Sequence, residues 1–363
     1  RALSGKPTAK LDDEIKAEFP HLPSGCVIKL ERVAQQRVLE NVRESIRLFR
    51  PRILASLRDL NQYLGRVPTI EDAIDYFDTS LDELLKRGLW SRLLAEAGIG
   101  EPVEAPDEIQ LSKGLCRISH INCPHQINIL TEYLSSPNPP VYPNTPALIE
   151  MLLTTLWGTL YSELTLEVAA QRLRANPSAI NDLRGILNYQ LKHSPVIASI
   201  DSSVYGPFAI HAAYTRDEIL VGLGHWSFNS RPSQREGVLH LKDRKFDIFF
   251  VTLQKSDDEY SPTTMYEDYL ISHELFHWQT QSNTSEHSPT GQRYIRHNEM
   301  GYTPLLFVRE TKTLTSGLSA PYHFLGPCRY ISHTGSRPIN ITWKLLYSVP
   351  TRLVRSMVRQ VAV

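Results

Sequence analysis

Sulfur is scarce in this chain. Four cysteines (Cys26, Cys116, Cys123 and Cys328) and four methionines are spread over 363 residues. Cysteines this sparse exclude a disulfide framework, so a reducing, cytoplasmic setting is expected. Long apolar runs are missing as well. The longest, Ile248 to Leu253 and Leu305 to Val308, fall far short of the ~18 residues of a membrane span and suit buried strands. The start lacks a basic stretch followed by an apolar one, so no secretory signal is read. It opens with Arg1 rather than methionine, and a piece cut from a longer polypeptide is expected. Net charge is also absent. The 39 basic and 39 acidic residues cancel, which excludes a histone-like nucleic-acid sponge. What is present, 41% hydrophobic and 21% charged residues, is the composition of a globular chain. At roughly 150 residues per domain, the length implies two or three domains.

The cancelling charges are unevenly placed. Lys29, Arg32, Arg37, Arg43, Arg47, Arg50, Arg52 and Arg58 outweigh the acids around them, and from Arg66 to Glu108 the balance reverses. From Gln292 onward, ten basic residues (Arg293, Arg296, Arg309, Lys312, Arg329, Arg337, Lys344, Arg352, Arg355 and Arg359) face only Glu299 and Glu310. A basic last quarter in a neutral chain points to a surface that meets a polyanion; the alternative is a merely solvated face.

Periodicity divides the chain near Ser194. Residues 1–28, with Pro7, Pro20 and Pro23, read as a linker. From 29 to 194 the apolar spacing is helical. Leu30, Val33, Val38, Val42, Ile46 and Phe49 form one stripe that Pro51 ends or kinks, and a second helix runs from Ile53 to Leu64. Thr69 caps the next helix, and another begins near Ser80 with Trp90, Leu93, Leu94 and Ala97 on its apolar face. Further helices are expected over 115–135, 145–163, 165–173 and 177–192. From 195 to 363 short strands are expected at Val196–Ile200, Phe208–Ala213, Gly237–Leu241, Asp247–Leu253, Tyr302–Val308, Tyr322–Leu325 and Ile339–Lys344. One helix capped by Thr215 interrupts them. The expected class is α+β: an all-α helical coupler followed by a β-rich barrel or sandwich.

Two groups of residues invite a metal. His273-Glu274-Leu275-Phe276-His277 matches the H-E-x-x-H pattern, in which a helix turns both histidines to one zinc and the glutamate acts as general base. No third ligand stands at a metzincin position, where this chain has Thr280 and Asn283, and the residues that follow are poor helix formers. On a strand the two histidines would lie about 13 Å apart, too far for one ion. Cys116, His120, Cys123 and His125 crowd four ligand types into ten residues, interrupted by Pro124; buried thiols in a helical domain are the expectation there.

Several ordered segments carry a resemblance. They are Ser261-Pro262-Thr263-Thr264-Met265-Tyr266-Glu267-Asp268-Tyr269, Leu275 to Gln281, Ser288-Pro289-Thr290-Gly291-Gln292-Arg293-Tyr294, Leu306-Phe307-Val308-Arg309-Glu310 and Ser332-His333-Thr334-Gly335-Ser336-Arg337-Pro338. Together they resemble the C-terminal region of bacterial helicase proteins, among them SauUSI-like type IV (modification-dependent) restriction helicase-nucleases. Phe19 to Cys26 resembles the segment that follows the helicase motor in those proteins. Gly65-Arg66-Val67-Pro68-Thr69 through Trp90 to Gly98 is similar to a small helix-turn-helix repeat associated with homing nucleases, with a plain spacer as the alternative. There is no Walker-A loop, DEAD-like box or H-x-K-x4-D motif in the chain. The resemblance thus implies a non-enzymatic region without a cofactor of its own, the ATP and Mg of the helicase and the nuclease chemistry lying upstream.

The resemblance implies a reader of 5-methylcytosine or 5-hydroxymethylcytosine in double-stranded DNA, built like a base-flipping SRA or PUA barrel and coupled to the helicase and nuclease of the same polypeptide. Flipping requires aromatic faces and a partner for the cytosine edge. The densest supply is Tyr266, Asp268, Tyr269, Phe276, Trp278, Gln279 and Gln281. Of these Tyr266, Asp268, Tyr269, Trp278 and Gln279 are expected to line the modified-base pocket, with Asp268 accepting from the cytosine amine. Arg293, Arg296, Arg309 and Arg337 are expected on DNA phosphates, with Gly335 and Ser336 as further donors. A zinc peptidase using His273, Glu274 and His277 and a protein-binding regulatory module are the competing readings.

Overall fold

The computed structural model describes residues 49–103, 106–136, 141–158, 163–194, 202–234, 236–254, 268–314 and 316–357. The linker at 1–28, the helix expected before Pro51, the strand expected at Val196–Ile200, and Tyr266 lie outside the described residues.

Helices come first, each where apolar residues recur three or four apart. Helix α1 (Arg50–Leu64) buries Ile53, Leu57 and Leu60, and carries Pro51 in its first turn, where a missing N–H costs nothing. Helix α2 (Ile70–Phe77) opens with a capping box: the Thr69 hydroxyl accepts from the Asp72 amide while the Asp72 carboxylate accepts from the Thr69 amide. The single helix expected from Ser80 is two, α3 (Leu81–Leu85) and α4 (Trp90–Glu96), because Gly88 takes φ +122° between them. The helix expected over 115–135 is likewise two, α5 (Glu108–Arg117) and α6 (Pro124–Ser135), with Pro124 starting the second. Helices α7 (Thr145–Trp157), α8 (Leu166–Arg174) and α9 (Pro177–His193) complete this half. No described helix is long and apolar enough to cross a membrane.

After a short turn of helix, α10 (Ser202–Tyr205), the chain alternates strands with three helices. The strands are β1 (Ala213–Tyr214), β2 (Val238–Leu241), β3 (Phe246–Thr252), β4 (Tyr269–Leu270), β5 (Leu275–Gln279), β6 (Thr303–Arg309), β7 (Tyr322–Thr334) and β8 (Asn340–Leu345). The helices are α11 (Arg216–Gly222), held by a second capping box between Thr215 and Glu218, α12 (Pro289–Ile295) and α13 (Thr351–Met357). The strand expected at Phe208–Ala213 is mostly a turn with His211 at φ +67°, and only Ala213 and Tyr214 join the sheet. Phe208, Ile210 and Ala212 fall two apart in the sequence, a spacing that mimics a strand, but His211 and Ala213 are buried along with them.

The strands follow the order β2-β3-β6-β7-β8-β5-β4, with β1 added on β7. Only β3 and β6 run parallel; every other pairing is antiparallel. The class is α+β, but the end strands β2 and β4 do not pair, so the sheet is open and the expected closed barrel is not formed. The reason lies in β7. Its thirteen residues pair with β6 through the first half and with β8 through the second, so one strand serves two sheets instead of closing one.

Two cores result. Ile248 and Phe250 of β3, Leu305 and Phe307 of β6, and Phe324 of β7 belong to a cluster with Ile219 of α11 and with Ile129, Leu148 and Met151 of the helical half. The alternate residues Phe249, Val251, Leu306, Val308 and Leu325 belong to a second cluster with Trp278, Ile341 and Trp343. Strand β3 is therefore buried at every residue, which is why its sequence reads as a continuous apolar run rather than an alternation. Each such Phe or Leu contributes roughly 1.5–3 kcal/mol relative to an exposed one. Residues from Arg50 onward form one compact unit, and the first core draws on both the helical and the strand-bearing stretch.

Helices α5 and α7 touch backbone to backbone. A Cβ added at Gly114 would stand 2.4 Å from the Leu156 carbonyl oxygen, whereas one at Gly237 would meet its nearest neighbour, the Phe250 oxygen, at 3.6 Å. Gly114→Ala is expected to lower stability by about 1–3 kcal/mol, the usual range for overpacking, and Gly237→Ala to leave it unchanged. Paired thermal melts check this; equal melting temperatures would show that α5 and α7 separate freely.

Candidate nucleic-acid interface

Strands β4, β5 and β8 and the second half of β7 bury one face and leave the other open. Along β5, Phe276 and Trp278 turn inward, while Leu275, His277 and Gln279 turn outward. Register carries this alternation across the strands in three outward rows. The first is Leu275, Lys344 and Arg329; the second is Tyr269, His277, Thr342 and Ser332; the third is Gln279, Asn340 and Thr334. None of these residues is acidic.

Each row has its own chemistry. In the first, Arg329 and Lys344 sit directly opposite one another, both exposed, and neither side chain makes a hydrogen bond or ion pair among the described residues. Like charges placed opposite across an antiparallel pair disfavour folding. In the second, the Tyr269 and His277 rings stack with centroids 4.6 Å apart and planes 12° from parallel. In the third, the Gln279 side-chain nitrogen donates to Asn340 Oδ1 at 2.9 Å, a bond that engages neither the Gln279 oxygen nor the Asn340 nitrogen. Beyond this row the β7–β8 turn presents Arg337, exposed and without a side-chain partner among the described residues. Gly335, at φ +73°, makes that turn, and a Cβ there would come within 3.0 Å of the Pro338 oxygen. The Ser336 hydroxyl accepts from the Glu286 amide at 3.4 Å.

The residues expected to form a modified-base pocket separate onto two sides of the sheet. Tyr269 and Gln279 lie on the open face. Trp278 is 5% exposed, stacked on Phe249 at 4.2 Å and met edge-on by Tyr294, so its ring fills the core rather than offering a free stacking face. Phe276 is wholly buried beside it. Asp268 is 9% exposed, and its Oδ1 accepts from the backbone N–H of Gln279 at 2.9 Å, so this carboxylate fastens the start of β4 to β5. Tyr266 is outside the described residues.

The phosphate candidates separate likewise. Arg293 donates to both oxygens of Asp247 at 3.1 and 2.9 Å, and that carboxylate is fully buried with His240 Nδ1 3.0 Å away. Arg309 donates to Thr252 Oγ1 at 2.9 Å and to the Ala320 carbonyl at 3.2 Å, and lies 4.4 Å above the Tyr322 ring. Arg296 pairs with Glu299 at the surface. Of the four, only Arg337 is exposed without a side-chain partner among the described residues. The sequence singled out neither the Arg329–Lys344 pair nor His277 and Asn340 in these roles. Their signal was the alternation of polar with apolar residues along β5 and β8, which becomes legible only once the register is known.

No helix carries the H-E-x-x-H motif. His273 lies in the bend before β5, and its Nδ1–H donates to the Val349 carbonyl at 2.6 Å, while His277 faces Tyr269. Cys116 and Cys123 are buried free thiols, and burial pushes Cys116 up to about 11. His120 Nε2 lies 2.6 Å from the buried Glu218 carboxylate; burial opposes its charge, but that partner holds its pKa above the ordinary histidine value. No group of three His, Cys, Asp or Glu among the described residues is arranged to hold a metal ion.

A polar relay closes the other side of β7. The Tyr330 hydroxyl lies 2.6 Å from His333 Nδ1, and His333 Nε2 lies 3.1 Å from Glu286 Oε2. The Tyr330 amide donates to His297 Nε2 at 3.1 Å, while His297 Nδ1–H donates to the Tyr302 carbonyl at 3.0 Å. Burial lowers the His297 pKa, which suits a ring nitrogen acting as an acceptor.

Arg293→Ala is expected to destabilise the protein by about 3–5 kcal/mol, because it strands the buried Asp247 charge. Arg337→Ala is expected to change stability by no more than about 0.5 kcal/mol. Urea titrations of both variants check the contrast; a silent Arg293→Ala would show that Asp247 finds another partner.

No curated protein matches the chain in sequence. Residues 208–357, which begin at the turn before β1 and end with α13, match the family described as Domain of unknown function (DUF3427).

Proposed function

We propose that the chain is the DNA-binding target-recognition region of a type IV restriction enzyme, reading 5-methylcytosine or 5-hydroxymethylcytosine and coupling that event to an upstream helicase and nuclease. The observation that carries this reading is the open face of β4, β5, β8 and β7. Arg329, Lys344 and Arg337 stand there without acidic partners among the described residues, next to a stacked aromatic pair and two amides bonded to each other. From the Arg329–Lys344 row to the Thr334–Asn340 row the face is about 14 Å long, the axial rise of roughly four phosphates along one DNA strand. The basic last quarter of the sequence and its ordered resemblance to helicase-associated proteins support the same reading.

In this reading the cations position the DNA backbone, and the Gln279 oxygen and Asn340 nitrogen offer an acceptor and a donor to the edge of a cytosine turned out of the stack. The 5-methyl group adds only apolar surface, for which Tyr269 is the nearest aromatic body on the face. The helical half joins this reader to the motor, which supplies the ATP and Mg chemistry. The setting is the cytoplasm, where such a reader meets DNA. The zinc-peptidase alternative is disfavoured, since its motif lies on a bend and a strand rather than a helix and no third ligand joins it among the described residues.

Fluorescence anisotropy with matched duplexes carrying cytosine, 5-methylcytosine or 5-hydroxymethylcytosine tests the reading at two salt concentrations. Tighter binding to a modified duplex is expected. Arg337→Ala is expected to weaken all three duplexes alike and to reduce the salt slope by about one. Equal affinity for all three would leave a DNA clamp without modification sensing, and no affinity would favour a protein-binding regulatory module.

A further inference from the structure

The three outward rows follow one another along β8 at Lys344, Thr342 and Asn340, two residues and so about 7 Å apart. Their chemistry changes in the same order: two cations, a stacked ring pair, an amide pair. That is the order of parts in a nucleotide, from phosphate through the face of the base to its hydrogen-bonding edge. A paired base inside a duplex offers neither its face nor its Watson–Crick edge to a flat sheet. We infer that this face binds unpaired DNA: Arg329 and Lys344 clamp the phosphate, the Tyr269–His277 stack is the platform for the base, and Gln279 with Asn340 reads its edge. This deepens the reading of the chain as a DNA reader and rests on it. It names the ligand as a nucleotide free of its partner strand, either turned out of a duplex or in single-stranded DNA.

Two features of the face bear on the occupant. Among the described residues no acid relieves the like charges of Arg329 and Lys344 across the strands, so an anion lying between them stabilises the pair. Stacking on a ring tolerates any base, because every base has a π face, which is how single-strand binders hold their ligands. A stacked ring pair followed by an amide pair suits a planar heterocycle with a polar edge, which a nucleotide carries on the same unit as its phosphate.

The test uses the full chain with a fluorescein-labelled single-stranded 12-mer, its matched duplex and free dCMP as competitor. Single strand is expected to bind at least several-fold more tightly than unmodified duplex, and dCMP to compete only weakly. Tyr269→Ala is expected to weaken single-strand binding on the order of tenfold or more. Lys344→Gln is expected to weaken it and to flatten the salt dependence by about 0.7, while raising the melting temperature because a like-charge contact is lost. That opposite movement of affinity and stability is a signature that simple unfolding would not give. Duplex binding equal to or tighter than single-strand binding, or single-strand binding untouched by both variants, overturns the inference. If modified duplexes are still discriminated in that case, the DNA-reading role stands and only the placement on this face fails. If no DNA binds, both fall.

Discussion

The parallel pairing of β3 and β6 is the constraint around which the strand-bearing half is arranged. Both strands are covered on two sides, so each residue of Ile248 to Val251 and Leu305 to Val308 belongs to one core or the other. A parallel pair requires a long crossover, and here the crossover holds β4, β5 and α12. The crossover is thus the source of the second sheet. Its strands β4 and β5 reach the central pair only through β8 and β7, which makes β7 the joint between a fully covered sheet and one covered on a single face.

That asymmetry sets the character of the open face. Phe276, Trp278, Ile341 and Trp343 fill the second core, and their alternates along the same strands are left to water. Such positions usually carry neutral or oppositely charged cross-strand pairs. Here they carry an arginine opposite a lysine, a tyrosine stacked on a histidine, and two amides bonded to each other. Fold and function draw on alternate residues of the same short strands, so the face can vary without disturbing the core beneath it.

Much of this was legible beforehand where local chemistry decides structure. The caps at Thr69 and Thr215 start helices as expected, and the apolar runs at Ile248 and Leu305 are buried strands. Legibility failed where apolar residues two apart are not a strand, as at Phe208 to Ala212, and where a polar stretch is one, as in Arg329 to Thr334 of β7. It also failed for the candidate site. Trp278, Asp268 and Arg293 have the chemistry a DNA reader needs, but each is turned toward protein: a ring on Phe249, a carboxylate on the backbone N–H of Gln279, a guanidinium on Asp247. Residue type announces chemistry, but the direction a strand residue faces depends on register. Register joins residues some fifteen to seventy positions apart in sequence, as Arg329 with Lys344 and His277 with Thr342 show.

Strand β7 also has a mechanical meaning. Its last residues edge the open face, and its first residues pair with β1, where His323 Nδ1–H donates to the His211 carbonyl beside the helical half. The strand is kinked beside Gly326, at φ +92°, and carries an extra residue at Ile331, so tension applied at Ser332 or Thr334 first draws out those two bulges before it reaches Tyr322 and His323, and the strand behaves as a sprung tie running through the protein.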